Sequence, residues 1–126
     1  MLEDYLIKDT RTARAHAVPK TRKGAKLARL RFEALAYTKD IDRVLTLVRV
    51  RLETGRFHQI RIQFSSRKMP LLGDGKYGSR TNKCAIALYA YRLTFPEKRG
   101  ERTVCAWPEL ETYPWNLFDK EIFLNV

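Results

Sequence analysis

Cysteine, methionine and histidine are scarce in this chain, with two of each among 126 residues. Cys84 and Cys105 have no CxxC spacing, and with His16 and His58 they lack the paired ligand spacing of a zinc site. No metal is therefore expected. Two isolated thiols read as idle or buried side chains in a reducing cytosol, with a disulfide as the alternative. Acids are also short: 14 Asp and Glu stand against 25 Lys and Arg, a net charge of +11. No apolar run reaches the roughly eighteen residues of a membrane-spanning helix. The start, Met1-Leu2-Glu3-Asp4, has neither the basic nor the apolar region of a signal peptide. These absences predict a cytoplasmic protein with no membrane partner. Internal repeats and low-complexity tracts are missing too.

What is present fits a globular chain. Apolar residues make up 44% and aromatics 11%, which argues against disorder. The length suits a single domain, 1–126, with one modest core. A domain this basic usually meets a polyanion, most often nucleic acid. A solvated basic face with no partner is the alternative.

The elements follow from periodicity. Residues 1–9 read as a short strand or a helical turn. Residues 11–26 read as a basic loop, with Arg11, Arg14, Lys20, Arg22, Lys23 and Lys26 beside Pro19 and Gly24 and no acid among them. That density suits phosphates, and a merely solvated loop is equally open. Ala28–Tyr37 and Val44–Leu52 alternate as half-buried strands. They predict a hairpin with a connection of about four to six residues through Asp40-Ile41-Asp42.

Phe57, Ile60, Arg61 and Phe64 fall at i, i+3, i+4 and i+7, one face of a helix. That helix is expected from about Phe57 to Arg67, with Thr54 as N-cap and Pro70 beyond its end. Arg61 then lies inside the apolar stripe, and a buried guanidinium needs an acid. Further on, Ala85–Phe95 reads as a strand ended by Pro96, Arg102–Trp107 as its return, and Trp115–Phe123 as a terminal helix. The fold class is α+β: a mixed, largely antiparallel sheet with one or two packed helices.

Two linked motifs carry a resemblance. Thr54-Gly55-Arg56-Phe57-His58-Gln59-Ile60-Arg61 and Pro70-Leu71-Leu72-Gly73-Asp74-Gly75-Lys76-Tyr77-Gly78 resemble the TGR-x-HQ-[IL]-R and P-[IL]-x-GD-x-x-YG segments of the large-subunit-rRNA type of RNA pseudouridine synthase. Leu2–Asp9, Gly24–Tyr37 and Leu88–Phe95 fit as well, so the resemblance covers nearly the whole chain. Three departures stand out. No Arg-Leu-Asp triplet occurs here, although the family carries its catalytic aspartate in R-L-D-x-x-T-S-G. The family's tyrosine in a Y-x-A context is missing too. Tyr89 stands where the family often has His.

The resemblance implies half of a pseudouridine synthase catalytic domain, acting on rRNA or tRNA without cofactor or metal. In the family the aspartate initiates isomerisation of a flipped-out uridine: the glycosidic bond breaks, the base rotates, and it rejoins through carbon. A basic side chain keeps that aspartate ionised, and the resemblance places this role on Arg61. Arg56 would hold the loop or an RNA phosphate, with Arg22, Lys23, Lys26 and Lys76 as further nucleic-acid contacts. Thr54, Gly55, His58, Gln59, Gly73, Asp74, Tyr77 and Gly78 would be structural. Asp74 in particular reads as a turn-stabilising carboxylate and not as the partner of Arg61. A half domain is expected to be inactive alone, and to expose a strand edge that invites a homodimer or a complementing chain carrying the aspartate. The competing reading is a non-catalytic RNA-binding module.

Overall fold

The computed structural model describes residues 1–81 and 83–126. Its larger sheet has the order β2-β1-β3-β4 and is antiparallel throughout, from β1 (Leu2–Asp9), β2 (Arg14–Val18), β3 (Lys26–Asp40) and β4 (Arg43–Leu52). A separate hairpin joins β5 (Arg92–Glu97) to β6 (Gly100–Cys105). The two α-helices are short: α1 (Gln59–Ser65) and α2 (Lys120–Leu124). The expected α+β class, with antiparallel pairing, is what forms.

The β3–β4 alternation has a physical payoff on both faces of the sheet. Leu30 and Phe32 of β3 lie opposite Leu52 and Val50 of β4. This face meets α1: Leu2, Leu30 and Phe64 are buried together, with Val48, Val50, Ile60 and Leu71 around them. Phe32 meets Phe64 edge-on, with ring centroids 5.1 Å apart. Fully burying side chains such as Leu30 and Phe64 contributes about 1.5–3 kcal/mol each. The register then shifts between Ala34 and Ala36. One extra residue on β3 turns the strand over, so Ala36 pairs with Leu47 on the opposite face. There Leu35, Leu45 and Leu47 receive Phe118, Phe123 and Trp115 from the C-terminal segment. The expected single core is thus two clusters, one on each face.

Several expected boundaries are corrected. Residues 14–18, expected as loop, form β2, because Ala15 is buried and the strand pairs along β1. Asp9 shapes the turn between them, its Oδ1 accepting from Arg11 N (3.0 Å). The β3–β4 connection is only Ile41-Asp42, since both strands run past their expected ends. The helix expected from Phe57 to Arg67 contracts to Gln59–Ser65. Its end is set by Lys68 at φ 61 and by Met69 N donating to Phe64 O (3.0 Å), a left-handed stop ahead of Pro70. Residues 85–91 are not in a ladder: Ala87 N bonds Leu72 O, and Leu88 N turns back to Ile86 O, both at 2.8 Å. Pro96 lies within β5 instead of ending it, opposite Glu101; a hairpin strand with a free edge tolerates the missing N–H. The C-terminal helix splits into a 3-10 turn at Trp115–Leu117 and α2, whose Asp119 cap accepts from Glu121 N (3.0 Å).

Candidate functional site

The site assembles where α1 meets the 70–78 loop. Thr54 does not cap α1. Its Oγ1 accepts from Arg29 N (2.9 Å) and donates to Gln59 Oε1 (2.8 Å). Gln59, buried, also accepts from Arg56 N (2.9 Å) and donates to Arg29 O (2.9 Å). The polar pair is therefore a knot that ties the loop before the helix to β3. Helix capping falls to His58, whose backbone is left-handed at φ 51 with no side-chain cap bond.

Arg61 finds its acid inside the chain. Its Nε donates to Asp74 Oδ2 (2.9 Å) and its Nη2 to Asp74 Oδ1 (2.8 Å). The Arg61 side chain is 16% exposed and that of Asp74 is fully buried. Reading Asp74 as a turn carboxylate and not as this partner is thereby corrected. The Gly-flanked turn presents the carboxylate to the guanidinium, because Gly73 at φ 81 passes so close to the Cys84 and Ala85 carbonyls that only a residue without Cβ fits. The hydrogen bond to Asp74 raises the Arg61 pKa further.

His58 and Tyr77 brace this pair. Arg61 Nη1 lies 3.1 Å from His58 Nε2, and His58 Nδ1 lies 2.7 Å from Tyr77 Oη. Tyr77 Oη also accepts from Ala15 N of β2 (2.8 Å). The Arg61 guanidinium sits 4.8 Å from the Tyr77 ring centroid. Phe57 stacks on His58 at 3.8 Å, and Lys8 Nζ stands 4.2 Å over the Phe57 ring. Burial lowers the His58 pKa, and the positive charges of Arg61 and Lys76 lower it further.

The expected phosphate contacts separate into two groups. Arg56 Nε donates to Leu27 O (2.9 Å), and Lys76 Nζ to Ala13 O (2.6 Å) and Thr12 O (3.2 Å). These two hold loops. Arg22 and Lys23, between β2 and β3, and Lys26, the first residue of β3, are exposed. Gly55 and Gly78 are open to solvent, and Gly78 closes the 3-10 turn Gly75–Tyr77 at φ 105. Arg67 Nη1 donates to Asp4 Oδ2 at 2.8 Å.

Sequence reasoning missed Leu52 and Leu88. They join Arg56, His58, Gln59, Ile60 and Arg61 around a shallow cleft of about 200 Å³. Both are more than two-fifths exposed, and no single-sequence signal marks an apolar side chain left outside the core. Among the described residues no group of three or more His, Cys, Asp or Glu forms a metal site. No helix among them is long and apolar enough to cross a membrane.

No family model matches the chain, and no solved structure does. Relatives do. Over 86 residues it is 34% identical to ribosomal large subunit pseudouridine synthase D of Neisseria meningitidis serogroup A, covering 56% of this chain and 23% of that protein. Over 35 residues it is 60% identical to the protein of the same name from Vibrio vulnificus, covering 28% and 11%. Over 82 residues it is 39% identical to an uncharacterized RNA pseudouridine synthase of Aquifex aeolicus, covering 55% and 25%. The matched residues span about a quarter or less of these relatives. Over part of its length, then, this chain is homologous to proteins named as RNA pseudouridine synthases.

Proposed function

We propose that these residues are part of an RNA pseudouridine synthase, and that they supply its guanidinium and a basic RNA-facing surface. The carboxylate that starts the isomerisation comes from polypeptide outside these 126 residues. These residues alone do not turn over uridine. A complementing chain provides the acid; a homodimer across a free edge of the sheet is the other assembly open to them.

The observation that carries this reading is the state of Arg61. A guanidinium has five N–H groups. Three of them face Asp74 and His58, and the other two have no partner among the described residues. Arg61 also borders the cleft walled by Leu52, Ile60 and Leu88. An apolar wall suits the face of a flipped uracil, and two free N–H groups suit a second carboxylate. Held there, the acid stays ionised and initiates the exchange: the N1–C1′ bond breaks, the base rotates, a C5–C1′ bond forms, and the hydrogen of C5 leaves as a proton. The net charge of +11 supports an RNA partner.

One observation favours the non-catalytic alternative: Asp74 already balances the charge of Arg61. Tritium release from uridine-labelled rRNA separates the two. The proposed reading expects none from this chain and release once a polypeptide carrying R-L-D-x-x-T-S-G is added. Release by the chain alone overturns the missing-acid argument. Salt-dependent RNA binding without release in the complemented mixture selects the binding module.

A further inference from the structure

His58 combines three features that a merely packed histidine does not need. It holds a left-handed backbone at φ 51 without being Gly, Asn or Asp. Such strain persists only where surrounding contacts over-determine it. Both of its ring nitrogens are engaged, at 3.1 Å and 2.7 Å. Finally, its ring is clamped between Phe57, stacked at 3.8 Å, and Tyr77, edge-on at 5.6 Å.

The proton inventory of this cluster fixes the state of the ring. Arginine has no acceptor. The Arg61 Nη1 contact therefore requires a lone pair on His58 Nε2, and a neutral ring then carries its hydrogen on Nδ1. That hydrogen points to Tyr77 Oη, which also receives the Ala15 N–H. We propose that His58 is a positioning residue: a neutral imidazole acceptor that, opposite Asp74, locks the guanidinium plane of Arg61 and links it to β2 through Tyr77.

Asp74 alone grips one edge of the guanidinium, Nε and Nη2. A third bond on Nη1 stops the group from swinging about that edge. Protonating His58 would remove the acceptor and set two cations against each other at hydrogen-bond distance. The groups around the ring leave little to offset this. Arg61 on α1, Lys76 on the 70–78 loop and Lys8 on β1 are cationic, and Asp74 is the one acid, already chelated by Arg61. Arg14 of β2 lies over the far ring, 5.1 Å from the centroid of Tyr77. The third bond, on Nη1, thus holds while His58 is neutral and is lost when the ring is protonated, leaving the Asp74 grip on Nε and Nη2.

The inference rests on the proposed function only for what the aligned Arg61 is for. The alignment itself can be read on the isolated chain by nitrogen-15 NMR. The expected result is a His58 ring protonated at Nδ1 and bare at Nε2. The Arg61 Nη hydrogens should appear as separate resonances in the native chain and collapse to an average in His58→Asn, a variant whose side chain accepts left-handed backbone. A ring protonated at Nε2, or Arg61 resonances unchanged in folded His58→Asn, overturns the proposal. Neither result depends on turnover, so a failed synthase reading and a failed positioning role remain distinguishable.

Discussion

Arg61 and Asp74 meet side-on through two bonds of 2.9 and 2.8 Å, thirteen residues apart in sequence. The geometry uses the guanidinium edge formed by Nε and Nη2. A pair this buried is poor evidence of net stability, since desolvation opposes the Coulomb gain. Its removal in halves is another matter. Asp74→Ala or Arg61→Ala leaves one unpaired charge and should each cost about 3–5 kcal/mol. Arg61→Met with Asp74→Leu should cost much less than the sum of single changes. Urea unfolding of the three variants and the parent gives the coupling energy, and additive losses would show the pair to be uncoupled.

The His58 pKa is lowered in the folded chain by burial and by nearby cations. The unfolded chain therefore binds more protons below the ordinary histidine value of about 6.5. Its contribution to stability is complete above that value and declines as pH falls through the folded pKa. Urea midpoints measured from pH 7.5 downward should drop below about 6.5, and His58→Asn should flatten that part of the curve. An equal drop in the variant would assign the effect to the carboxylates.

Gly73 and Gly24 offer a controlled comparison. Both have positive φ, at 81 and 84, but a Cβ at Gly73 meets the Cys84 and Ala85 carbonyls while one at Gly24 meets nothing within 4 Å. Gly24→Ala should cost about 1 kcal/mol, the strain of the left-handed region. Gly73→Ala adds a backbone clash, so the 84–87 segment must shift, and a loss of more than about 3 kcal/mol is expected. Thermal unfolding of both variants checks the difference, and equal losses would mean that the 84–85 backbone moves freely.

How much of this was legible follows from which forces act locally. The β3–β4 hairpin was readable because period-two alternation survives in Leu30, Phe32, Val48 and Val50. Its bulge at Leu35 was not, since one extra residue leaves the composition unchanged while turning Ala36 to the other face. The strand β2 was hidden because Arg14 and His16 dominate a five-residue segment whose burial rests on Ala15. Arg61 announced its need for an acid through its place in an apolar stripe. The identity of that acid was a tertiary fact, set by where the Gly73–Gly78 turn lies against α1. The knot of Thr54, Gln59 and Arg29 was likewise invisible, because a Thr before a helix is ordinarily its cap.

The basic residues now divide by what their charge already does. Lys76 and Arg56 donate to backbone carbonyls, whereas Lys23 on the β2–β3 loop and Lys26, the first residue of β3, are exposed. A free cation that neutralises a phosphate releases counterions. For single strands the slope of log K against log salt is about −0.7 per contact. Lys23→Ala with Lys26→Ala should therefore weaken binding of a single-stranded RNA and flatten the slope by roughly 1.4 if both touch phosphate. Arg102, paired with Glu97 on the β5–β6 hairpin, serves as the control, and Arg102→Ala should leave affinity and slope unchanged. Fluorescence anisotropy across a salt series measures both quantities. If the double variant keeps the parent slope, these lysines belong to a solvated surface and the RNA contact lies elsewhere on the chain.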